Sequence, residues 1–502
     1  MATATPEAPR AIPDITMRPS GKVTTIPAGN GGALQAALDA REPGERIQCD
    51  PTQPMVGNFE DRARTLTAYA ILTSTRDDVP LRMISPNRSP VLSAGGPVGG
   101  LYLKNIDASV DPAVTDIVWN LFLMGGGGPQ SFDTCPRGYV FDRVNMAATD
   151  TQQLLRGLYL GARDMAYLNG TIVGMKAHGF DSQAICGGPA PGPYLIRDAD
   201  LEGASENIMF GGTGVDGPDM VPQDITIERV TLRKRLSWQG QGWNIKNHLE
   251  FKSARRVKVR GLHCLNCWTD GQVGRSVVVT PRDVGTFPYI VTQDIDIEHV
   301  LIEDVNSAFV IMGFDDFHDN DPESTKTSRI RFRNWITRVN PGGMNFQVAA
   351  GSFDVELDRM TWVGSDLFAN VIVGGSITRL KADRLLMAHG QHGWSGASGE
   401  GDRVAHLFPD AEWGQVMTVG PGASGRPGPP FLPGPLLAEQ NTAAVFVDMA
   451  NRDYHVRAGS VAERLGADPD AIAAALSGGS PNPMPPSAPA SARVLSAHFQ
   501  EN

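Results

Sequence analysis

A short pattern of mostly apolar residues returns through the middle of the chain: one residue, a second three positions later, and a third two positions after that. The chain carries eight copies, whose first positions lie 25 to 38 residues apart. The copies are Phe141-Val144-Met146, Leu168-Thr171-Val173, Ile196-Ala199-Leu201, Ile227-Val230-Leu232, Val259-Leu262-Cys264, Ile297-Val300-Ile302, Phe332-Trp335-Thr337 and Leu357-Met360-Trp362. The pattern is constant, whereas the segments between its copies vary in length.

A repeat of this size cannot bury an apolar face by itself, so it must stack on its neighbours. Helical periodicity is missing, which argues against leucine-rich, ankyrin and tetratricopeptide arrays, and the uneven spacing argues against a propeller. Each copy also carries a second short apolar run, namely Ile185-Cys186, Ile208 to Phe210, Leu249 to Phe251, Val277 to Val279, Phe309 to Met312 and Val371 to Val373. The prediction is an all-β chain folded as a right-handed parallel β-helix, with two or three short strands per coil.

The segments around the repeats predict how the β-helix begins and ends. Residues 1–22 are rich in proline and are expected to form an extended arm. The β-helix is predicted over 23–420, closed at its N-terminal end by a capping helix over Leu34–Ala40. An irregular C-terminal segment follows, with a Pro/Gly linker over 421–440, a strand and a helix within 441–477 that pack on the solenoid, and a flexible tail over 478–502.

Charge limits the partners that the chain can bind. The 502 residues carry 44 Lys and Arg against 55 Asp and Glu, which gives a net charge of −11. A nucleic-acid partner is not expected, because phosphate binding needs clustered basic residues. An acidic polysaccharide would also be repelled by the chain as a whole, so binding one requires a local basic patch or a bound cation.

Cysteine content and the chain's N-terminus bear on the compartment. Five scattered cysteines do not make a disulfide framework. Cys264 and Cys267 have the spacing of a zinc pair, but a second pair is missing and Cys264 lies on an inward position of the repeat, which favours packing in the core. No signal peptide is recognisable, and no apolar run reaches membrane-spanning length. We expect no membrane insertion and an extracellular or virion-associated location.

Several stretches resemble a known family over most of the chain, from Val23 to Ser460. The segment LQAALDAREPGERI is similar to the N-terminal cap of pectate-lyase-like β-helix proteins, and SENIMFGG, VPQDITIERV, WNIKNHLEFK and DYHVRAGS resemble a large bacterial and phage group of the same fold. The resemblance implies the fold and a polysaccharide partner. The chain departs from true pectate lyases, since it lacks their paired-Asp calcium motif and their Arg-x-Pro-x-x-Arg motif.

Candidate chemistry emerges when the second strands are aligned on their last apolar residues. Cys186, Phe210, Phe251 and Val279 are taken as equivalent, with alternate side chains pointing inward. Two outward columns then follow, Gln183-Asn207-His248-Ser276 and Ile185-Met209-Glu250-Val278. Polar and charged residues surround these columns, at Asp181, Glu206, Lys246, Asn247, Lys252, Gln272 and Arg282. The clustering on adjacent coils predicts a groove for an extended sugar chain.

The expected reaction is β-elimination of a uronate, which needs a neutralised carboxylate, a base and an acid. Lys246 or His248 is the candidate base, while Arg282 and Lys252 would hold the carboxylate. Asp181, Glu206 and Glu250 could bind a calcium ion, the one cofactor expected. Hydrolysis would instead pair Glu206 with Glu250. The predicted substrate-binding residues are Gln183, Asn207, Asn247, Lys252, Gln272 and two stacking tryptophans, Trp243 and Trp268, with Trp238 as a third candidate platform.

Simpler interpretations exist for the same residues. Asn207 and Asn247 could form a stacked amide ladder, the charged side chains could serve solubility, and the tryptophans could pack loops onto the β-helix. At the level of function, a polysaccharide lyase, monomeric if secreted, competes with a homotrimeric phage tailspike or fibre that binds host glycan, with or without cutting it. A purely structural protein without a ligand is the third possibility.

Overall fold

The chain winds into one long solenoid of parallel strands. The structure, a computed structural model, describes residues 3–126, 131–215, 217–282, 289–314, 325–349, 351–364, 368–372, 376–388, 394–396, 408–419, 437–439 and 442–477. Its main sheet has 29 strands, and each coil of the chain pairs with the one before it in parallel. The predicted all-β parallel β-helix is therefore confirmed.

The N-terminal part contains one helix and the first coils. Its elements are β1 Val23–Ile26, α1 Gly31–Ala40, β2 Arg46–Cys49, β3 Met55–Val56, β4 Phe59–Asp61, β5 Ala70–Ser74, β6 Leu81–Ser85, β7 Leu92–Ala94, β8 Gly99–Val110 and β9 Val118–Met124. The predicted cap is confirmed as α1. The Asn30 side chain accepts a hydrogen bond from the Ala33 N–H at its start, and Leu34 and Leu38 are buried against the first coil.

The central and C-terminal parts hold the remaining coils. The central elements are β10 Arg137–Ala147, β11 Leu154–Leu160, β12 Arg163–Leu168, β13 Thr171–Met175, β14 Gln183–Gly187, β15 Tyr194–Gly203, β16 Glu206–Phe210, β17 Gln223–Arg233, β18 Asn247–Phe251, β19 Ala254–Cys267, β20 Arg275–Val279 and β21 Thr292–Met312. The later elements are β22 Ser328–Ala349, β23 Phe353–Val363, β24 Phe368–Ile372, β25 Thr378–Ala388, β26 Trp394–Gly396, β27 Glu412–Trp413, β28 Val416–Val419, β29 Leu437–Glu439, α2 Thr442–Val445, β30 Phe446–Asp448, β31 Asp453–Val456 and α3 Pro469–Ser477. Short 3-10 helices occupy Pro218–Met220, Leu236–Trp238 and Met449–Asn451.

Each coil supplies strands to more than one parallel face. The two parts of the long strand β10 pair with separate strands, β12 and β13, and Arg143 lies between the parts in a left-handed conformation with φ 54°. Asn334 has the same conformation, φ 61°, in a later coil. A further face is built from short strands that pair in the order β9, β11, β14, β16, β18, β20 and then the C-terminal end of β21. This last face, called the short-strand face below, carries the candidate site.

The predicted register of the repeat is confirmed for every copy except the second. Phe141 pairs with Tyr167 and Met146 with Ile172, so the copy predicted to begin at Leu168 is wrong by one residue. The equivalent middle position is Gly170, where a Cβ would lie 2.6 Å from the Tyr167 hydroxyl. Glycine has no apolar side chain, so the hydrophobic pattern could not identify Gly170 as an inward position. The predicted copy was therefore placed one residue too late.

Inside the coils, side chains at equivalent positions stack along the solenoid axis. Phe210 stacks on Phe251 with ring centroids 6.1 Å apart, and Phe309 stacks on Phe346 at 4.7 Å. All five cysteines are free and buried, and Cys264 belongs to the core as predicted. Stacking of this kind lets each coil bury the apolar face of the next.

The C-terminal segment packs back on the solenoid. Helix α3 contacts β17, β19 and β21, with Ile472 and Ala475 buried, while β30 and β31 form a separate antiparallel pair. The predicted tail over 478–502 and most of the predicted linker over 421–440 lie outside the described residues. In the described part of the chain, no helix is long and apolar enough to cross a membrane.

Candidate functional site

A cleft of about 540 Å³ opens on the short-strand face, over β18, β20 and the end of β21. It is called the central cleft here. Its apolar lining comes from Val273, Val278, Val310 and Met312. Its polar lining comes from Asp181, Lys246, Asn247, Glu250, Lys252, Gln272, Arg275, Thr280 and Arg282. Most of the residues predicted to surround the groove therefore meet in one place.

The charge of the central cleft is opposite to that of the chain. Four cationic side chains line it, at Lys246, Lys252, Arg275 and Arg282, against the carboxylates of Asp181 and Glu250. The chain as a whole carries −11. This excess is the local basic patch that an acidic ligand requires, because field lines concentrate in a cleft with low-dielectric walls.

On one side of the cleft, Lys246 is held by Asp181. The Lys246 ammonium lies 2.6 Å from Asp181 Oδ1 and donates a hydrogen bond of 2.7 Å to Asp181 Oδ2. Asn244 Nδ2 also donates to Asp181 Oδ1, at 2.7 Å. These contacts fix the position of the Lys246 side chain at the cleft wall.

Glu250 is the carboxylate that β18 presents to the cleft. Its Oε2 accepts a hydrogen bond from Asn247 Nδ2 at 3.1 Å and lies 3.5 Å from the Lys252 ammonium. Burial lowers the pKa of Lys252, but the carboxylates of Glu250, Glu206 and Asp181 outweigh it and bring that pKa above its usual value. Lys252 is therefore a cation throughout the neutral range.

Glu206 pairs with the cleft residue Asn247 on the neighbouring strand, but it is fully buried and is not part of the cleft lining. Its Oε2 accepts a hydrogen bond of 2.7 Å from Gln183 Nε2, whose Oε1 in turn accepts one of 3.1 Å from Arg156 Nε. Within the described residues, Glu206 Oε1 has no hydrogen-bond partner. Burial raises the pKa of Glu206 to about 7; Lys252 opposes this rise, whereas Glu250 and Asp181 add to it.

The raised pKa of Glu206 predicts a pH-dependent stability. Between pH 4.5 and about 7 the folded chain keeps a proton that the unfolded chain releases, so the free energy of unfolding falls as pH rises. Glutamine cannot ionise, so the Glu206→Gln variant avoids this loss. Its free energy of unfolding, relative to that of the natural chain, should rise by on the order of 2 kcal/mol between pH 5 and pH 8. Thermal melts of both proteins at the two pH values measure this. For the exposed control Glu463→Gln, the difference in stability from the natural chain should be the same at both pH values. The same result for Glu206→Gln would contradict the raised pKa of Glu206.

The strand alignment used for the sequence prediction is partly wrong. Gly187, not Cys186, pairs with Phe210, so Gln183 pairs with Glu206. In the second predicted column, Met209, Glu250 and Val278 are confirmed as partners across adjacent coils. Ile185 was placed with them wrongly, since it pairs with Ile208 and belongs to the core.

The first predicted column does not face solvent, and His248 is not in the cleft. His248 is fully buried, with Nδ1 3.1 Å from Ser276 Oγ and Nε2 2.9 Å from the Leu265 carbonyl oxygen. Burial, together with the Lys234 ammonium, holds its pKa well below the usual value. The predicted outward position of His248 is wrong, and a base there could not reach a substrate in the cleft.

Asn207 also lies inside the coil rather than in the groove. Its Nδ2 donates to the Leu201 and Arg233 carbonyl oxygens at 2.7 and 3.0 Å, and its Oδ1 accepts from the Lys234 ammonium at 2.9 Å. The predicted contact of Asn207 with substrate is therefore wrong. Gln183 is likewise fully buried and touches Glu206.

The predicted tryptophan platforms lie outside the cleft lining. Trp243 stacks on His178 with ring centroids 3.8 Å apart, and the Lys176 ammonium lies 5.2 Å from its ring. Trp238 is buried, and Trp268 packs against the core. All three tryptophans thus support loops, as the simpler interpretation held.

An exposed aromatic pair near the cleft and one cleft arginine were not found from the sequence. Trp119 and Phe180 form an exposed aromatic pair, 51% and 44% exposed, with ring centroids 5.7 Å apart, and Phe180 directly precedes the cleft residue Asp181. Arg275 opens β20 beside the predicted Ser276, and its guanidinium donates to Gln347. Burial lowers the pKa of Arg275. Arg275 could have been found from the sequence, because the strand alignment places it level with Asn247. The exposure of Trp119 and Phe180 could not, because the sequence does not show which aromatic side chains lie at the surface.

The predicted calcium ligands do not fit a calcium ion. Among the described residues, no three His, Cys, Asp or Glu side chains lie close enough to hold a metal. The Asp181 carboxylate is paired with Lys246 and that of Glu250 with Lys252, so ammonium groups already balance their charges.

Together, the fold and the cleft define a parallel β-helix protein with a basic cleft on its short-strand face. No known family model matches the sequence, and no curated protein matches it. Among solved structures, the chain is similar to the crystal structure of an alginate lyase from Paenibacillus sp. str. FPU-7, with 13% sequence identity and a TM-score of 0.31 over 78% of this chain and 98% of that one. At this level of similarity, nothing is transferred from that protein to this chain.

Proposed function

We propose that the central cleft binds an acidic polysaccharide and cleaves it by β-elimination. The observation that supports this most strongly is the reversal of charge: four cations against two carboxylates line the cleft of a chain whose net charge is −11. The exposed edge-to-face pair Trp119 and Phe180 lies outside the cleft lining, next to Asp181 in sequence, and offers apolar ring surface to a sugar chain that extends beyond the cleft. A charged centre beside an aromatic surface matches a polymer of acidic sugars.

The reaction needs three functions in one place. A base removes the proton on the carbon next to the uronate carboxylate, and the electron pair of that C–H bond forms the new carbon–carbon double bond. The glycosidic C–O bond breaks, and the leaving oxygen takes a proton from an acid. Cations that hold the carboxylate stabilise the charge that develops when the proton leaves.

The cleft residues supply a side chain for each of these functions. Lys252, Arg275 and Arg282 hold the carboxylate, which Arg side chains can grip through two hydrogen bonds. Glu250, oriented by Asn247, accepts the proton. Lys246, held by Asp181, donates a proton to the leaving oxygen. This division of labour replaces the base predicted at Lys246 or His248.

Hydrolysis fits the geometry less well. It requires two carboxyl groups that flank the scissile bond. The pair predicted for that role was Glu206 with Glu250, but Glu206 is fully buried and does not line the cleft. The remaining cleft carboxylate, Asp181, is engaged by Lys246 and Asn244. Elimination is therefore the reaction that the described residues support better.

The test is a panel of polysaccharides that differ in charge. Polyuronates and neutral glucans of similar length are mixed with the purified chain, and both the ultraviolet absorbance of unsaturated uronate ends and the number of reducing ends are followed. Absorbance that rises with at least one polyuronate and with no neutral glucan supports the proposal. Reducing ends that increase without absorbance would show hydrolysis, and no change in either would leave the cleft without the proposed reaction.

A further inference from the structure

The N-terminal segment lies lengthwise on the outside of the solenoid and follows a strict three-residue period. Its half-buried positions are Thr3, Pro6, Pro9, Ile12 and Ile15, and the residues between them are exposed. Residues 3–20 form no helix or strand. A period of three with prolines on the buried side is the pattern of a polyproline II helix.

The backbone of this arm is bound by three aspartates. The Ala4 N–H donates to Asp354 Oδ1 at 3.2 Å. The Glu7 N–H donates to Asp294 Oδ1 at 3.1 Å. The Arg10 N–H donates to Asp224 Oδ1 at 3.0 Å, and its side chain pairs with Asp224 Oδ2 at 2.6 to 2.7 Å. The bonds recur at every third arm residue.

The three aspartates belong to one column at the start of successive long strands. An arginine stands between consecutive aspartates, so that the column reads Asp224, Arg256, Asp294, Arg329, Asp354 and Arg379 on adjacent coils. All six have φ between 54° and 58°. The alternation of charge is complete over these coils.

Each arginine holds the aspartate of the preceding coil with two hydrogen bonds. The distances are 2.6 and 2.9 Å for Arg256 to Asp224, 2.6 and 2.8 Å for Arg329 to Asp294, and 2.7 and 2.9 Å for Arg379 to Asp354. The paired hydrogen bonds from each arginine hold the carboxylate in one orientation, independently of the arm's own contacts. The column is a row of oriented acceptors, one on every second coil.

The spacing of the acceptors equals the repeat of the arm. Three residues of polyproline II rise about 9.3 Å. Two steps between neighbouring strands of a sheet span about 9.6 Å. An extended β-strand would present its same-facing amides about every 6.6 to 6.8 Å and would lose the match within one step.

The series ends where the sequence removes the donor. Position 13, the next in the series 4, 7, 10, is proline and has no N–H. From there the contacts become apolar, and Ile12 and Ile15 pack against a cluster that includes Tyr102 and Val140. The Tyr69 hydroxyl then donates to the Asp14 carbonyl oxygen at 2.9 Å.

We propose that the column of Asp224, Asp294 and Asp354 is a peptide-binding site for a polyproline II segment, and that its occupant is the chain's own N-terminal arm. The bound arm connects the coils from Asp224 to Asp354 and stabilises their stacking. These coils include the ones that carry the central cleft. This inference does not depend on the proposed reaction, since the column and the cleft share no residue.

Proline substitutions in the full-length chain test the site directly, because proline favours the polyproline II conformation and removes one donor. Glu7→Pro removes the donor to Asp294, whereas Ala8→Pro removes an amide that the structure leaves outside the series. Glu7→Ala controls for the lost carboxylate. Hydrogen exchange at the Ala4 and Arg10 amides reports whether the arm is bound.

We expect Glu7→Pro to speed exchange at both amides by about tenfold relative to Glu7→Ala, since a hydrogen bond to a carboxylate is lost. Ala8→Pro should exchange at the rate of the natural chain or more slowly. Equal rates for the two proline variants would overturn the proposal. Protection that increases with protein concentration would place the arm on a second copy and overturn the assignment of the chain's own arm.

Discussion

Replacing Glu250 by glutamine is expected to reduce turnover of a polyuronate by at least about 100-fold. Glutamine keeps the shape of the side chain and an oxygen that can accept from Asn247, but it cannot take a proton. The Michaelis constant should change little, because Lys252, Arg275 and Arg282 still hold the substrate carboxylate. Initial rates followed by absorbance of the unsaturated product give both quantities.

The matched control is Glu463→Gln, an exposed glutamate in a turn far along the chain, which should retain the natural rate. Melting temperatures of both variants show whether either change affects folding. A Glu250→Gln variant that turns over substrate at the natural rate would exclude this carboxylate as the base. A large increase in the Michaelis constant with unchanged turnover would assign it to binding instead.

Replacing Lys234 by methionine is expected to cost at least about 3 to 5 kcal/mol of unfolding free energy. The Lys234 ammonium is fully buried, and its three N–H groups are shared among four oxygen acceptors. Its acceptors are the carbonyl oxygens of Gly203, Ser205 and Asn247 and the side-chain oxygen of Asn207, at 2.7 to 2.9 Å. Methionine has a similar length but donates nothing, so all four oxygens lose a partner inside the coil.

Chemical denaturation compares this variant with Lys381→Met, in which an exposed lysine of β25 is replaced. The control should unfold near the midpoint of the natural chain, because exposed substitutions away from special contacts have small effects. If both variants unfold at the same denaturant concentration, the cluster around Lys234 does not hold the coils together. The position matters for the cleft, since Lys234 ties β16 to the residues that open β18.

The fold could be predicted from the sequence because every coil of a solenoid buries side chains at the same positions, which gives the repeated apolar triplet. The triplets at Ile227, Val259 and Ile297 lie in register as predicted. The two errors of register occur where glycine takes an inward position, at Gly170 and Gly187. A pattern of hydrophobic side chains cannot register a residue that has none.

The candidate site could be predicted only in part, and the limit was strand geometry. Lys246, Glu250 and Lys252 do line one cleft. His248 was placed beside them by strict alternation of side chains, yet His248 and Leu249 are both fully buried. Alternation describes the side chains of a regular strand, whereas the buried position of His248 within β18 goes with its contacts to Ser276 and to the Leu265 carbonyl oxygen. Lys234, which is buried between β16 and β18, cannot be recognised as a core residue from the hydrophobic pattern.

The conformation of the N-terminal arm could be predicted from the sequence, but its binding partners could not. Prolines at positions 6 and 9 indicate an extended segment with a period of three, which is a local property of the chain. Its partners Asp224, Asp294 and Asp354 lie more than 200 residues away and become a row only when the coils stack. Contacts at such sequence distance depend on the coil register, which the loops of uneven length set.

The measurement that bears most directly on the central cleft is the mass of the cleavage products formed in water labelled with oxygen-18. Elimination breaks the glycosidic bond without adding water, so we expect a polyuronate product with an unsaturated end and no label from the cleavage step. Hydrolysis adds one water, so one labelled oxygen for each bond cleaved, with no unsaturated end, would contradict elimination and return the reaction to a pair of carboxyl groups.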